Sequence, residues 1–530
     1  MVARGASKSG RWHPDGPDFG EARPAWGAVP ECNTGNQTSA GKPGDISEPS
    51  LSAALAPGCI QLHAEERLGF AMIMNLRCES IVNMNIQVPE HVARVAQELE
   101  ARGHRAYVVG GAVRDSLLGR TPKDWDICTS ATPDEVEYIF RGSAVSTGKR
   151  YGTITVLSDR GAVEVTTFRR DGTYSDGRRP DVVVFSSDVR DDLARRDFTV
   201  NAIAYDTRRK AVIDCYNGLA DLRARVIRTV GDPGARFQED ALRMLRAIRL
   251  GAELGFAIAP ETLEAIESNH ESITRISWER IRDELSAMIV SPGAGDAVRL
   301  TERTGLLEHI LPELEACVSV PAGGPCAGTV FEHSLKVTDI IEPTLHLRLA
   351  ALLHDIGKPA TMVRDSSGAV RFFGHDKVGA TLARQALERL RYPGELVRRV
   401  TLLIERHMFA YDPATKDKGI RRIVAALGMD AIRDLAKLRE ADRTALGAGP
   451  GPGSNMAAFL ARVEGVMAKG PALSVRDLAV SGHDVMRVLG VPEGPEVGKA
   501  LARLLDAVLE NPELNSRERL LQLLQQMKST

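Results

Sequence analysis

Two carboxylates, Asp124 and Asp126, follow the glycine pair Gly110–Gly111 at a separation of twelve residues, in the stretch Val-Val-Gly-Gly-Ala-Val-Arg-Asp-Ser-Leu-Leu-Gly-Arg-Thr-Pro-Lys-Asp-Trp-Asp-Ile from Val108 to Ile127. Acids that close repel unless something neutralises them, and a pair of divalent metal ions does so. Glycines let a backbone approach a triphosphate, and the helix N-terminus behind them favours its charge. A lone Asp-x-Asp is commonplace in solvated turns; its combination with a glycine pair inside strand–helix–strand is much rarer. A second constellation lies further on: His333, then Leu-His354-Asp355-Ile-Gly-Lys, then His375, His407 and Asp442. Isolated histidines are usually core residues with a hydrogen bond. A set of imidazoles and carboxylates, by contrast, suits a first-row divalent ion.

The elements that must hold the first set are legible locally. The apolar run Ala106–Val109 is expected to be a strand ending at the glycines, followed by a short helix, a Leu-Gly-Arg-Thr-Pro turn, and a second strand carrying both Asp124 and Asp126. Strand side chains alternate, so these two acids would leave the sheet on one side. An amphipathic helix from Val88 (Val92, Val95, Ala96, Leu99) precedes them. Helix is expected over Pro133–Phe140, and short strands over Ala144–Ser146, Gly152–Leu157 and Ala162–Phe168, the last with Glu164 between apolar neighbours. Thr167–Phe185, rich in turn residues and arginines, reads as a mobile loop. Gly234–Gly255 reads as one strong helix whose front, Glu239-Asp240-Ala-Leu-Arg243-Met-Leu-Arg246, places Asp240 and Arg243 on one face. Ile276–Met288 reads as a further capped helix.

Composition bounds the class. A chain of 530 residues with 43% hydrophobic content has room for roughly three or four domains. Lys plus Arg (68) nearly balances Asp plus Glu (70), so any basic surface must be local. Seven cysteines show no C-x-x-C and no regular spacing, which argues against disulfides and against a zinc ribbon. No apolar run reaches the ~18–20 residues of a membrane span. The expectation is a soluble, cytoplasmic protein without membrane partners.

The Val108–Ile127 stretch resembles the head signature of the nucleotidyltransferase superfamily, and in detail that of class II CCA-adding tRNA nucleotidyltransferases and the related bacterial poly(A) polymerases. The resemblance runs from about residue 87 to the C-terminus. It implies an α+β fold: a nucleotidyltransferase head with a small mixed sheet, then all-helical neck, body and tail. It makes Asp124 and Asp126 the ligands of catalytic Mg2+, with Glu164 as a helper on its strand. The nucleotide contacts it implies begin with Gly110, Gly111 and Arg114. Arg195-Arg196-Asp197-Phe-Thr-Val-Asn201 resembles the family's R-R-D-x-x-x-N motif. Carried over, Arg195 and Arg196 would hold the triphosphate, and Asp197 and Asn201 would meet the ribose. Guanidinium groups suit phosphate as two-pronged donors. The Asp240/Arg243 pair, with Arg246 after it, resembles the E-D-x-x-R that reads the base. A carboxylate only accepts and a guanidinium only donates. Cytosine and adenine both present an amine beside a ring-nitrogen acceptor, so this pair would take C and A and refuse U and G. The loop at 167–185 resembles the flexible loop of full CCA-adding enzymes, and Asp214–Arg228 a structural connector.

His354-Asp355 resembles the HD-domain signature. His333, His354, Asp355 and Asp442 would form its metal set, with His375 and His407 near a second ion, either a divalent transition metal or Mg2+. Such a site implies phosphohydrolase activity on 2′,3′-cyclic or 2′-phosphates of damaged tRNA ends. Gly447–Ser454 reads as a linker and Leu473–Lys528 as a helical tail for tRNA. The boundaries expected are 1–86 (a disordered or over-extended N-terminus, with Met72, Met74 or Met84 as the working start), 87–232, 233–300, 301–446, 447–455 and 456–530. The function expected is addition of CCA to tRNA from CTP and ATP. The alternatives are a poly(A) polymerase, an A-adding-only enzyme, and an HD phosphohydrolase with an RNA-binding head. Gly148-Lys-Arg-Tyr-Gly-Thr-Ile-Thr-Val favours the CCA branch over the polymerase branch.

Overall fold

The computed structural model describes residues 80–172, 182–323, 328–366, 368–409, 411–447 and 455–528. The fold is α+β, with one mixed sheet of eight strands followed by a helical remainder. Its strands are β1 (Ser80–Asn83), β2 (Ala106–Val109), β3 (Asp126–Thr129), β4 (Ala144–Gly148), β5 (Thr153–Ser158) and β6 (Gly161–Thr167). A separate ladder of β7 (Arg169–Asp171) and β8 (Val183–Phe185) follows, and β9 (Ile203–Asp206) and β10 (Ala211–Asp214) complete the main sheet. The order is β1-β10-β9-β2-β3-β6-β5-β4. Within this sheet only β3 and β6 pair in parallel. That pair matters most, because its register sets Asp126 beside Glu164.

The amphipathic helix appears as Glu90–Ala101 and buries the four expected residues. β2 is buried along its whole length, as an interior strand must be. Tyr107 and Val109 on one of its faces pack with Phe168, Leu193 and Ala204.

Several expectations need correction. β1 lies inside the stretch read as an N-terminal extension: its four residues pair with β10, and Ile86 donates its backbone N–H to the Tyr205 hydroxyl. So short an edge strand offers little periodicity. Asp124 does not lie on β3, which begins at Asp126; the last β2–β3 ladder pair is Val109 with Asp126, where β2 ends at the glycines. The ends of the supposed loop 167–185 form the β7–β8 ladder, while residues 173–181 lie outside the described residues, as do 448–454 of the linker. Cys215 is disulfide-bonded, whereas Cys128 and Cys317 are free and buried. Spacing along a chain does not report which cysteines folding brings together.

The expected helix over 234–255 is two helices, Pro233–Glu239 and Leu242–Leu254. Asp240 breaks it with an extended backbone at φ −152° and ψ 102°, and its side chain accepts the Leu242 N–H at 3.1 Å. Aspartate competes in this way for nearby N–H groups and so restarts a helix rather than continuing one. Gly255 ends the second helix at φ 71°. Helix Trp278–Ile289 packs along it, with Ser277 at its N-cap but without a side-chain capping bond.

Among the helices that follow, Val330–Ile340, Leu345–Leu353, His375–Arg389, Gly394–Arg406 and Met429–Ala445 carry the histidine set. Helix Asn455–Met467 packs on Asp417–Leu427 and Met429–Ala445. Helices Gly482–Leu489, Pro495–Glu510 and Arg517–Lys528 share a core around Val485, Leu504, Val508 and Leu520. No helix among the described residues is long and apolar enough to cross a membrane.

Candidate active site

Two cavities of about 300 and 290 Å3 meet at one cleft. The first is lined by Gly110, Gly111, Arg114, Asp124, Asp126 and Asn201, the second by Arg195, Asp240, Arg243 and Arg280. Arg196, Asp197 and Arg246 line both. The acid pair and the proposed base-reading pair therefore sit at opposite ends of one continuous surface. Glu164 stands beside Asp126 on β6, exposed and outside the cavity lining.

Burial pushes the Asp126 carboxyl above its ordinary range; Arg196 opposes this, and the like charges of Glu164 and Asp124 reinforce it. A partly buried carboxylate crowded by two others is an arrangement a divalent cation would relieve. The donor set is all oxygen, as Mg2+ prefers.

Asp192 organises the arginines. Its side chain is fully buried. It accepts from Arg195 Nε and Nη2 at 3.0 and 2.6 Å, and from Arg196 Nε and Nη2 at 3.3 and 3.1 Å. Burial alone would raise Asp192, but the two guanidinium groups outweigh it and hold its carboxyl low. Arg195 caps the helix Val189–Ala194 and Arg196 follows it, so neither sits on a solvated helix face. Arg196 Nη1 points at Gly110, where a Cβ would approach to 2.9 Å; the glycine also holds φ +77°.

A chain of polar contacts continues from there. Arg114 donates to Asn201 Oδ1 at 2.7 Å, Asn201 Nδ2 donates to Asp197 at 3.2 Å, and Arg246 Nε donates to the other Asp197 oxygen. The connector supports this segment: Asp221 accepts the Thr199 hydroxyl at 2.7 Å, and Asp214 accepts the N–H groups of Gly218 and Leu219. Burial disfavours an ionised Asp197, yet Arg246, Asn201 and Arg243 bring its carboxyl down to about 2. A depressed value means the ionised group stabilises the fold above the ordinary 3.8 and loses that contribution as pH falls through about 2. The amount is on the order of 2 kcal/mol. Asp197→Asn is thus expected to lower stability at pH 6, with the gap closing by about pH 2, as read by chemical denaturation across pH. A gap that stays constant would refute it.

At the other end, the Arg243 backbone N–H donates to the Asp240 carbonyl at 3.0 Å, while the two side chains turn to other partners. Arg280 holds Asp240 with two bonds of 3.2 and 2.6 Å, and Arg243 donates to Glu239 and to the carbonyls of Arg236 and Arg195. Both still line the same cavity. A carboxylate offers about four lone-pair sites, so Asp240 keeps capacity toward the cleft. Reading the sequence missed two residues here, Asp192 and Arg280. Spacing of three and four residues before the arginines could have signalled Asp192. Arg280 lies 40 residues from its partner and had no local signal.

The six histidine-set residues come together in a separate cavity of about 460 Å3. They divide into two groups, His333–His354–Asp442 and Asp355–His375–His407, each with donor atoms within 4.8 Å of one another. Asp355 joins them: Oδ2 lies 3.1 Å from His354 Nε2 and 3.8 Å from His333 Nε2, while Oδ1 lies 3.4 Å from His375 Nε2 and 3.7 Å from His407 Nε2. His333 Nε2 is 3.0 Å from Asp442. His354, His375 and His407 each place Nδ1 within 2.7–2.8 Å of a main-chain carbonyl, of Ala351, Phe372 and Ile404. A carbonyl can only accept, so each Nδ1 carries a proton; in the neutral ring the lone pair then lies on Nε2, which faces inward, the tautomer a metal requires. Burial, then His354, push His407 down to about 4 and keep it neutral. For His354 burial is outweighed by Asp355 and Asp442, which raise it. The carboxylates thus call for positive charge at that point, and the N/O donors fit a first-row divalent ion.

Residues 106–228 match the Poly A polymerase head domain, 255–318 the probable RNA and SrmB-binding site of polymerase A, and 330–447 the HD domain. The chain is 35% identical to the CCA-adding enzyme of Geobacillus stearothermophilus over 426 residues, 80% of this chain and 94% of that one. It is 47% identical to the CCA-adding enzyme of Lactobacillus johnsonii over 216 residues, 41% of this chain and about half (54%) of that relative's length. Among solved structures, the Bacillus stearothermophilus CCA-adding enzyme in complex with CTP matches with a TM-score of 0.60 and 31% identity, covering 83% of this chain and 97% of that one.

Proposed function

Because the chain belongs to the CCA-adding enzymes, we propose that it adds C, C and A to tRNA 3′ ends from CTP and ATP without a nucleic-acid template. The observation that supports this is the single cleft that runs from Asp124 and Asp126 to Asp240 and Arg243 through Arg196, Asp197 and Arg246. In this reading Asp124 and Asp126 hold two Mg2+ ions, with Glu164 assisting. When bound, such ions would activate the primer 3′-hydroxyl and neutralise the leaving pyrophosphate. Arg195 and Arg196, aimed by Asp192, bind the triphosphate where the Gly110–Gly111 backbone gives it room, and Arg114 fixes Asn201. Asp197 and Asn201 meet the ribose. Asp240, held by Arg280, accepts the exocyclic amine of C or A, and Arg243 donates to the ring nitrogen. A wrong base leaves these groups unpaired, at about 1–3 kcal/mol per bidentate contact.

Three tRNA transcripts, ending at the discriminator base, at CC and at CCA, offered CTP and ATP separately and together, test this. Ordered addition of C, C and A that then stops is expected. Long A tails would make the protein a poly(A) polymerase, and A added only to the CC end a specialised A-adding enzyme. Gly110→Ala is expected to slow incorporation about 100-fold by displacing Arg196, the penalty of roughly an ångström's misplacement. Single-turnover incorporation checks it, and a near-normal rate would remove Arg196 from triphosphate binding.

The histidine centre adds a second activity to the proposal: metal-dependent hydrolysis of 2′,3′-cyclic or 2′-phosphates at damaged tRNA ends. Its support is the inward Nε2 lone pairs around the bridging Asp355. A bound divalent ion there supplies an acidified water. His354→Ala is expected to lose bound metal and phosphate release while keeping CCA addition. Unchanged metal content and hydrolysis would sink the activity.

A further inference from the structure

Away from both sites, three metal-donor side chains converge in the helical region. His270 opens the turn His270–Arg275, and Glu308 and His309 sit on helix Leu306–Ile310. His270 Nδ1 lies 3.2 Å from His309 Nε2, Glu308 Oε1 lies 3.4 Å from His309 Nε2, and the third edge, Glu308 Oε1 to His270 Nδ1, is 3.7 Å. Tetrahedral coordination with bonds of ~2.0–2.1 Å separates neighbouring donors by roughly 3.3–3.4 Å. The edges observed bracket that value. They also repeat the triangle of His375, His407 and Asp355, whose edges are 3.2, 3.4 and 3.7 Å.

The neighbourhood leaves room for the donors to meet. Gly305, at φ +76°, precedes the helix, and a Cβ there would press to 2.9 Å from His270 Nδ1. Any other residue would push the donor nitrogen out of the cluster. Unlike the buried histidine centre, this cluster is open to solvent, with side chains 26%, 23% and 52% exposed for His270, His309 and Glu308. Water can therefore complete a coordination shell that the protein supplies with three ligands.

We infer that His270, Glu308 and His309 bind a first-row divalent cation of the Zn2+ type. Two imidazoles and one carboxylate match that ion's preference, whereas Mg2+ favours an all-oxygen set. The ion clips the turn after helix Pro260–Asn269 to helix Leu306–Ile310. Its role is structural and independent of nucleotide addition, since none of the three residues lines the cleft or the histidine cavity.

The test uses untagged full-length protein, titrated with Co2+ as a spectroscopic probe and with Zn2+ in thermal melts. His309→Gln is expected to bind one Co2+ equivalent fewer than the unaltered chain and to lose part of the Zn2+-induced rise in melting temperature, with incorporation in Mg2+ unchanged. Should His309→Gln not fold, Glu308→Gln, at a half-exposed position, decides. It is expected to weaken Zn2+ at this site roughly tenfold or more, at least the loss seen when a metal's supporting partners are removed. Equal Co2+ stoichiometry and equal Zn2+ response in the unaltered protein and both variants would overturn the site and leave a histidine–histidine hydrogen bond in its place.

Discussion

Asp126→Ala is expected to lower nucleotide incorporation by about a thousandfold or more while leaving phosphate release at the histidine centre untouched. The reasoning begins with the β3–β6 register, which fixes Asp126 next to Glu164 at the mouth of the cleft. Burial and the neighbouring acids destabilise the bare carboxylate, so the position is costly to the fold unless a cation is bound there. Metal stabilisation of transferring phosphoryl charge is worth several kcal/mol, and each 1.36 kcal/mol is about tenfold in rate. Asp124→Ala should behave alike, although Asp124 reaches the site from the turn before β3. The check is parallel measurement of incorporation on a tRNA ending in CC and of hydrolysis of a 2′,3′-cyclic phosphate. Incorporation within tenfold of the unaltered enzyme would remove Asp126 from the metal site.

Asp192→Ala carries the second largest expected effect, and it acts on the fold as well as on the chemistry. Its carboxylate neutralises Arg195 and Arg196 together from beneath, through four hydrogen bonds. Removing one partner of a buried ion pair leaves an uncompensated charge at about 3–5 kcal/mol; here two guanidinium groups lose their shared partner, although Arg195 keeps Asp171 at 3.8 Å. Chemical denaturation of the head should shift by that order, with incorporation lost even where the head remains folded. Asp192→Asn preserves shape but cannot balance both charges, so it should fall between. An unchanged denaturation midpoint for Asp192→Ala would mean the arginines find other partners.

Much of this architecture is written locally. β2 is an uninterrupted apolar run stopped by glycines, the first helix declares its face through Val92, Val95, Ala96 and Leu99, and His354-Asp355 follows the apolar stretch Leu349–Leu353 that ends its helix. What stayed hidden depends on distance or on competition. β1 finds its partner across the chain at β10, and its four residues carry no pattern of their own. The break at Asp240 comes from a side chain outbidding the helix for the Leu242 N–H, in a stretch whose apolar periodicity continues on both sides. Arg280 could be placed in the supporting helix but not on Asp240, because only packing of Trp278–Ile289 along Leu242–Leu254 brings them together. Grouping of the histidine set around Asp355 likewise needed the fold, although its members were all visible as residue types.

Arg196, Asp197 and Arg246 belong to both ends of the cleft. On the proposed roles, a base that fits badly against Asp240 and Arg243 would strain the same side chains that seat the triphosphate and ribose. Selectivity in such a site has a kinetic signature: discrimination between CTP and UTP should fall on kcat as well as on KM, because the wrong nucleotide binds with its α-phosphate out of line. The enzyme would then reject errors at the step of bond formation as well as at the door.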